Sequence, residues 1–322
     1  MALSYAELTP HSRCGQGRIN EKSWDCMQMT IAYEQEWELY HYSESLCSQK
    51  ARLGLAEKGI DYKSRHIVIC DVAEECQNLS PDYLRVNPKG IVPTLVHNGE
   101  PVYDAHRIIK YVDERYYDTG IRLWPEDEDR RQIAAHWFDE GMLDENGRYG
   151  STFGLAIPIL SHPILAHALN RQPLDLVVEK FRHHPLETRG KRFTALRRDG
   201  TAFLPEVMTS ALKSVCRGLR EMNDLLDRFG GPYLLGDFTL PDITMMACFH
   251  RLEDVRMIDL LDHEAVPLVS SYWQRLQERP SYKDAIINWH DEENWRSALI
   301  EIFGDKKSPC LKEAFSIMNS ES

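Results

Sequence analysis

The chain has 322 residues, 43% of them hydrophobic and 27% charged, and its formal net charge is −12 at pH 7. That length and hydrophobic content suffice for two folded domains and argue against a disordered chain. The acidic charge excludes nucleic acid as an expected partner, because a negative surface repels a polyanion.

The first half of the chain alternates between strand and helix patterns. The letters WELYHY predict a strand over Trp37–Tyr42, and Leu46–Lys58 predicts a helix that ends at Gly59. Tyr62–Ile69 predicts a second strand, because its first residues alternate between polar and apolar. Asp71–Val86 has an irregular or helical pattern.

A hairpin and a capped helix follow. Pro93–Val96 predicts a strand, Asn98-Gly99 a tight turn and Pro101–Tyr103 the partner strand. Asp104 is placed to cap a third helix with one apolar face. The resulting order is β-α-β-α-β-β-α, with a strand–helix–strand crossover and an antiparallel hairpin. This is the order of the thioredoxin fold, an α/β architecture.

The remainder of the chain is helical in pattern, which predicts an all-α helical-bundle second domain. The predicted helices are Arg130–Leu143, Thr209–Phe229, Leu240–Leu252 and Pro267–Glu278. We expect an N-terminal extension, a thioredoxin-like domain, a linker, a helical domain with an insertion around 150–200, and a C-terminal tail. Their predicted ranges are 1–36, 37–118, 119–128, 129–290 and 291–322.

Eight cysteines are scattered along the chain without a CxxC pair. In a chain of this length, that distribution predicts reduced thiols and a cytoplasmic location. No apolar run is long enough to cross a bilayer, so no membrane span is expected. No metal site is expected either, because the histidines between residues 162 and 184 lack the spacing of a tight ligand motif.

The turn between the first strand and the first helix, SESLCSQKAR, carries the first candidate site. Ser45, Cys47 and Ser48 surround the first turn of the helix, where free N–H groups and the helix dipole favour an anion. A thiolate is such an anion, either that of Cys47 or that of a bound thiol. The Ser45 hydroxyl can donate to it and lower its pKa. The alternative is that Ser45 is only an N-cap and Cys47 only packs.

Two further polar points follow. Val92-Pro93 precedes a strand that faces this turn, which suits a cis peptide bond and leaves the backbone of Val92 free to pair with an extended peptide. Asp104 and the N-terminus of its helix can hold an α-amino group and a carboxylate. Glutathione offers a thiol, a cysteinyl backbone and a γ-glutamyl group, so the three points fit its three parts. The alternatives are an ordinary loop proline and an ordinary helix cap.

A family resemblance rests on motifs in both halves. NPKGIVPTLV and YDAHRIIKYVDERY resemble the cis-proline and γ-glutamyl segments of the glutathione transferases. LLGDFTLPDITMMACF resembles the capping box in that family's second domain, with Thr239 as the cap and Asp242 reciprocating. The resemblance implies glutathione as cofactor, a small hydrophobic second substrate and a homodimer. The residues it assigns to glutathione are Val92, Pro93, Asp104 and Ala105, with Lys50 or Lys89 supplying positive charge.

Parts of the chain resemble particular branches of that family. LYHYSESLCSQKAR is similar to the turn of zeta-class maleylacetoacetate isomerases and of tetrachlorohydroquinone reductive dehalogenases. On that resemblance, Ser45 activates the glutathione thiol and Cys47 resolves a glutathione adduct as a mixed disulfide. The helical domain, including KRFTALRRDG, looks more like the bacterial lignin β-etherases. The Asp104-Ala105 pair resembles the ganglioside-induced differentiation-associated proteins.

Two positions depart from the family pattern. Ala105 stands where most members have serine, which removes one hydrogen bond to the γ-glutamyl carboxylate, worth about 0.5–1.5 kcal/mol. The expected loss of affinity is at most about tenfold, and His106 can compensate. Ile91 stands where glutamine or lysine is frequent. The candidates for supplying the missing charge, among which the sequence does not choose, are Lys50, Arg52 and Lys89.

Two further features have competing interpretations. Arg189–Arg198 is interpreted as a solvated basic face, with binding of an anionic substrate as the less favoured alternative. Tyr40 and Tyr42 lie near the candidate turn and are alternatives to Ser45, because some transferase classes activate the thiol with a tyrosine.

Together these features predict a glutathione-dependent transferase or lyase that acts on a hydrophobic electrophile, with the glutathione thiolate as nucleophile. If Cys47 resolves the adduct, the net reaction is reductive removal of a leaving group, of the dehalogenase or β-etherase type. Ala105 and Ile91 favour a first alternative, a non-catalytic or weakly active glutathione-site protein with a regulatory role. A second alternative is a thiol oxidoreductase or isomerase that depends on Cys47.

Overall fold

The computed structural model describes residues 30–117, 120–143, 147–200 and 203–320. Residues 1–29 of the predicted extension and residue 119 of the predicted linker lie outside the described residues. The remainder of the extension runs beside the sheet. The Ile31 N–H donates to the Gly99 carbonyl at 2.8 Å, and a Glu34 carboxylate oxygen lies 2.6 Å from the Arg65 guanidinium.

A four-stranded mixed sheet forms the core of the first domain. Its strands are β1 Trp37–His41, β2 Lys63–His66, β3 Thr94–His97 and β4 Glu100–Tyr103. They lie in the order β2-β1-β3-β4, with β1 and β2 parallel and the other two pairs antiparallel. This confirms the predicted fold class. β2 is shorter than predicted because β1, its only neighbour in the described sheet, ends at His41, opposite His66.

Three helices cover the sheet. They are α1 Leu46–Glu57, α2 Pro81–Val86 and α3 Ala105–Arg115. The apolar face predicted for α3 is confirmed, since Ile108, Ile109 and Val112 are fully buried. α1 and α3 pack closely at Gly54, where an added Cβ would lie 2.7 Å from a side-chain carbon of Ile109. α1 also packs against the second domain, which places its N-terminus at the boundary between the two domains.

The second domain is a bundle built around one buried helix. Its helices are α4 Glu128–Gly141, α5 Phe153–Leu160, α6 His162–Asn170, α7 Leu174–Arg182, α8 Glu187–Asp199, α9 Pro205–Phe229, α10 Leu240–Asp254, α11 Val269–Gln277, α12 Pro280–Ala285, α13 Ser297–Phe303 and α14 Leu311–Ser320. α10 is the buried helix. Its predicted capping box is present, and the Asp242 carboxylate also accepts a hydrogen bond from the Tyr272 hydroxyl at 2.8 Å.

Two regions are more ordered than the sequence indicates. The uncertain stretch around 150–200 forms α5–α8, and several of their side chains face the first domain. The predicted C-terminal tail, 291–322, contains α13 and α14, which pack into the bundle. Leu311, Ala314 and Met318 are buried in the bundle core, because they recur at helical spacing on one face of α14.

Within the described ranges, no single helix has the length and apolar character needed to cross a membrane. α5 and α6, which are bent by 40°, meet that criterion only as a pair.

Candidate functional site

The two domains enclose a cavity at the N-terminal end of α1. The first domain contributes Ser45 and Cys47 from the start of α1, and Val92 from the loop before β3. The second domain contributes side chains of α5, α6 and α8. Much of that side is apolar, including Leu155, Ile157, Pro158, Leu165, Phe193 and Phe203.

Ser45 is the N-cap of α1. Its hydroxyl oxygen accepts a hydrogen bond from the Ser48 N–H at 3.3 Å, and its carbonyl accepts the first helical bond, from the Gln49 N–H at 2.8 Å. A hydroxyl that accepts one bond still has its own hydrogen to donate. Ser45 is half-buried in the cavity wall, so it can both cap the helix and donate to a ligand.

Cys47 lies one residue inside the helix and is half-buried in the same wall. Burial raises the pKa of its thiol to about 11, and the charge of Asp104 adds to the rise, whereas Lys50 opposes it. At neutral pH the group is therefore a neutral thiol. Of the two thiolates considered from the sequence, that of Cys47 is not favoured by its surroundings.

Hydrogen bonds from two buried side chains hold the loop before β3 in place. The Val92-Pro93 peptide bond is cis, as predicted. The Ile91 carbonyl accepts hydrogen bonds from the Tyr83 hydroxyl at 2.6 Å and the Asn87 amide at 2.8 Å. These two contacts fix the loop that places Val92 in the cavity wall.

Asp104 caps α3, as predicted from the sequence. One carboxylate oxygen accepts from the N–H groups of His106 and Arg107, at 2.9 and 3.2 Å. Its backbone adopts a φ of 70°, in the left-handed region that aspartate tolerates better than most residues. Asp104 lies outside the lining of the cavity, but its charge acts on the Cys47 thiol.

Ser48, Lys50 and Lys89 also lie outside the lining of this cavity, as Asp104, Pro93 and Ala105 do. The Ser48 side chain is fully buried and accepts a hydrogen bond from the Tyr42 N–H at 3.2 Å. The Lys50 ammonium is buried and donates to the Gly141 carbonyl, at the end of α4, at 2.8 Å. Lys89 is exposed and outside the wall. We correct the prediction accordingly: Ser48 stabilises the turn, and Lys50 joins the two domains.

His106 is also engaged elsewhere. Its Nδ1 donates to the Phe138 carbonyl at 2.9 Å, and its Nε2 accepts from the Thr244 hydroxyl at 3.0 Å. Burial and the charge of Lys50 hold the pKa of this imidazole well below its usual value, so the ring is neutral. The prediction that His106 compensates for the hydroxyl missing at Ala105 is therefore wrong.

The cavity has a basic wall, formed by a segment for which the sequence gives ligand contact only as the less favoured interpretation. Arg189 and Arg192 line it from α8, and Arg189 forms an ion pair with the buried Asp71. The interpretation of this segment as a solvated face is corrected for these two residues. The available signal was spacing, because Arg189, Arg192, Phe193 and Leu196 share one face of a helix.

Glu44 is a second residue that the sequence did not indicate. It lines the cavity next to Ser45 with 2% of its surface exposed, and one carboxylate oxygen accepts from the Asp291 N–H at 2.8 Å. Burial raises the pKa of this carboxyl to about 7, and the charge of Asp254 adds to the rise. No local pattern could have shown this, since Asp291 is 247 residues away along the chain.

The two tyrosines considered as alternatives differ in position. Tyr42 lines the cavity, and burial raises the pKa of its phenol. Tyr40 lies outside the lining and packs against Tyr83, with their ring centroids 5.7 Å apart.

Comparison with known proteins agrees with this architecture. A family model described as the N-terminal domain of glutathione S-transferase matches residues 44–115. Tetrachloro-P-hydroquinone reductive dehalogenase of Sphingobium chlorophenolicum is 26% identical over 79% of this chain and 98% of its own length. Maleylacetoacetate isomerase of Pseudomonas aeruginosa is 30% identical over 37% of this chain and 75% of its own length. The solved structure of beta-etherase LigF from Sphingobium sp. strain SYK-6 has the same fold, with a TM-score of 0.64, 19% identity, and 78% and 98% of the two chains covered.

The fold, the cis-proline loop and these similarities define a two-domain protein of the thioredoxin-like and helical type. The chain belongs to the glutathione transferase family.

Proposed function

We propose that this protein is a glutathione-dependent transferase or lyase in which Ser45 activates the glutathione thiol. The observation that supports this most directly is the position of the Ser45 hydroxyl. It lies at the N-terminus of α1, in one cavity with the Val92 loop and an apolar wall. An anionic sulfur and a hydrophobic electrophile could thus meet in the same space.

The residues fit the sulfur end of glutathione. Ser45 donates to the sulfur, and the positive end of the α1 dipole favours the negative charge there. The backbone of Val92 pairs with the cysteinyl part as an added strand would. Glutathione itself supplies a thiolate nucleophile. As the carbon–sulfur bond forms, the bond to a halide or aryloxide breaks, and the thiol proton passes to solvent.

The other end of the ligand is held less completely. Asp104 and the first N–H groups of α3 remain as partners for the γ-glutamyl group, but Ala105 has no hydroxyl and His106 is bonded to the second domain. Neither Lys50 nor Lys89 lines the cavity. We therefore expect glutathione to bind more weakly than with a serine at position 105.

A second candidate function is reductive, and the position of Cys47 favours it. Cys47 would take the glutathionyl group from the adduct as a mixed disulfide, while the substrate carbon gains a proton and two electrons. A second glutathione would then release glutathione disulfide and restore the thiol. The raised pKa of Cys47 opposes this route unless ligand binding lowers it.

The stoichiometry of glutathione consumption tests both candidates. The substrates are chlorinated hydroquinones and aryl ethers, with released chloride or aryloxide and glutathione disulfide measured together. Transfer consumes one glutathione per product, whereas the reductive route consumes two and forms one disulfide. Cys47→Ser abolishes only the reductive route. Cys76→Ser is the matched control, because Cys76 is a half-buried thiol outside the cavity.

Retention on immobilised glutathione separates the catalytic proposal from its rivals. Retention without turnover of any electrophile would favour a regulatory glutathione-site protein. Disulfide reduction without conjugation would favour a Cys47-dependent oxidoreductase. The homodimer implied by the family and the cytoplasmic location predicted from the cysteines stay predictions, to be tested by light scattering and cell fractionation.

A further inference from the structure

The second-domain wall of the cavity contains three arginines among the described residues, and they differ in how their charge is balanced. Arg251 lies 3.3 Å from the Asp254 carboxylate, and Arg189 is paired with Asp71, whose side chain is only 3% exposed. Arg192 is the exception, because it forms no ion pair with any residue in the described part of the chain.

The Arg192 guanidinium is held in place without being neutralised. It lies over the ring of Tyr149, 4.2 Å from the ring centroid. Its Nε is buried and has no hydrogen-bond partner among the described residues. The side chain is hydrogen-bonded to Tyr149 but has no counter-ion in the described part of the chain. A guanidinium removed from water without a counter-ion is costly, and a bidentate oxygen anion is the ligand that best offsets that cost.

Apolar side chains also line the part of the wall that contains Arg192. Phe193 precedes Leu196 on the same face of α8, and both side chains are buried. Leu165 and Phe203 complete this part of the wall. A ligand that fits has an apolar, flat body against these side chains and one anionic group at the guanidinium.

We infer that Arg192 selects electrophiles that carry one anionic oxygen group on an aromatic ring, either a carboxylate or the phenolate of an acidic phenol. The inference rests on the proposed function, since it names the substrate class of the same cavity. Arg192 is a binding residue that orients the substrate, with its anionic end against α8 and its reactive carbon towards Ser45.

Matched substrate pairs test the inference. Chloronitrobenzoate and chloronitrobenzamide share a ring and a leaving group but differ in charge. A chlorinated phenol and its methyl ether form the second pair. We expect kcat/KM, corrected for the uncatalysed rate, to favour the anion by about tenfold to a hundredfold. Preference in one pair only identifies which oxygen anion is selected.

Two variants locate the effect. Arg192→Met is expected to bring the ratio within each pair close to one. Arg198→Met, an exposed arginine of the same helix, makes the same change in net charge and is expected to leave the ratio unchanged. No preference in either pair, or a preference that survives Arg192→Met, would overturn the inference while leaving the proposed function intact.

A binding measurement covers the case of no turnover. Nitrobenzoate and nitrobenzamide lack the chloride and can be titrated calorimetrically into the parent and into Arg192→Met. Tighter binding of the carboxylate to the parent alone supports the selectivity of Arg192 even if the proposed function fails. Equal binding of the two compounds to the parent contradicts it.

Discussion

Replacing Ser45 with alanine separates its two roles in the structure. The substitution removes the hydroxyl that accepts from the Ser48 N–H, and loss of such a cap costs about 0.5–2 kcal/mol of stability. It also removes the hydroxyl available to the glutathione sulfur. A hydrogen bond to a charged group is worth about 1.5–3 kcal/mol, which corresponds to a rise of about one to two units in the pKa of the bound thiol.

The assay is a pH titration of the bound glutathione thiol, followed by the ultraviolet absorption of the thiolate at saturating glutathione. The parent is expected to titrate below free glutathione, and Ser45→Ala closer to it, with conjugation at neutral pH reduced about tenfold to a hundredfold. Ser80→Ala is the matched control, because Ser80 caps α2 outside the cavity wall and its hydroxyl oxygen accepts a similar hydrogen bond from the Tyr83 N–H at 3.2 Å. It should lower stability without moving the thiol pKa. If Ser45→Ala and Ser80→Ala have the same effect on that pKa, Ser45 acts only as a cap.

Three further predictions concern single residues of the site. Glu44→Gln should change how stability depends on pH. The raised pKa of Glu44 makes the folded state favour the protonated carboxyl, so its contribution is present at low pH and is lost as the pH rises through about 7. Between about pH 4 and pH 8, the unfolding free energy of the parent should fall relative to that of the variant by about 3 kcal/mol, and a constant difference in urea titrations would contradict the buried environment. Ala105→Ser should tighten glutathione binding by about twofold to tenfold, because the added hydroxyl can donate a hydrogen bond to the γ-glutamyl carboxylate, and calorimetry measures the affinity. Unchanged or weaker binding would show that the N-terminus of α3 does not hold the γ-glutamyl group. Cys47 should be alkylated by iodoacetamide at pH 8 about a hundredfold more slowly than a thiol of ordinary pKa, because its own pKa is raised to about 11. Mass spectrometry of the peptide that contains Cys47 measures the rate of alkylation. A rate like that of a free thiol would refute the raised pKa.

Local signals in the sequence were sufficient for the first domain. The cap at Asp104, the tight turn at Asn98-Gly99 and the alternation of strand and helix patterns each act over a few residues. The start of α1 and the cis bond at Pro93 follow from the same local patterns. For this reason the order of elements and the position of the turn at Ser45 can be predicted from the sequence.

The polar contacts that cross between domains could not be predicted in this way. Lys50 reaches Gly141 across 91 positions of sequence, and His106 reaches Thr244 across 138. A single sequence does not show which lysine meets which carbonyl, so it leaves Lys50 among the candidates for contact with the ligand. The basic wall is an intermediate case. The helical spacing of Arg189 and Arg192 on α8 is visible in the sequence, but the cavity that they line is not.

The position of glutathione in the cavity tests the central claim most directly. A crystal structure of this chain with glutathione is predicted to place the sulfur within about 3.5 Å of the Ser45 hydroxyl oxygen, with the cysteinyl backbone alongside Val92. A sulfur bound at the Tyr42 hydroxyl, or a ligand seated outside the cavity at the start of α1, would contradict it.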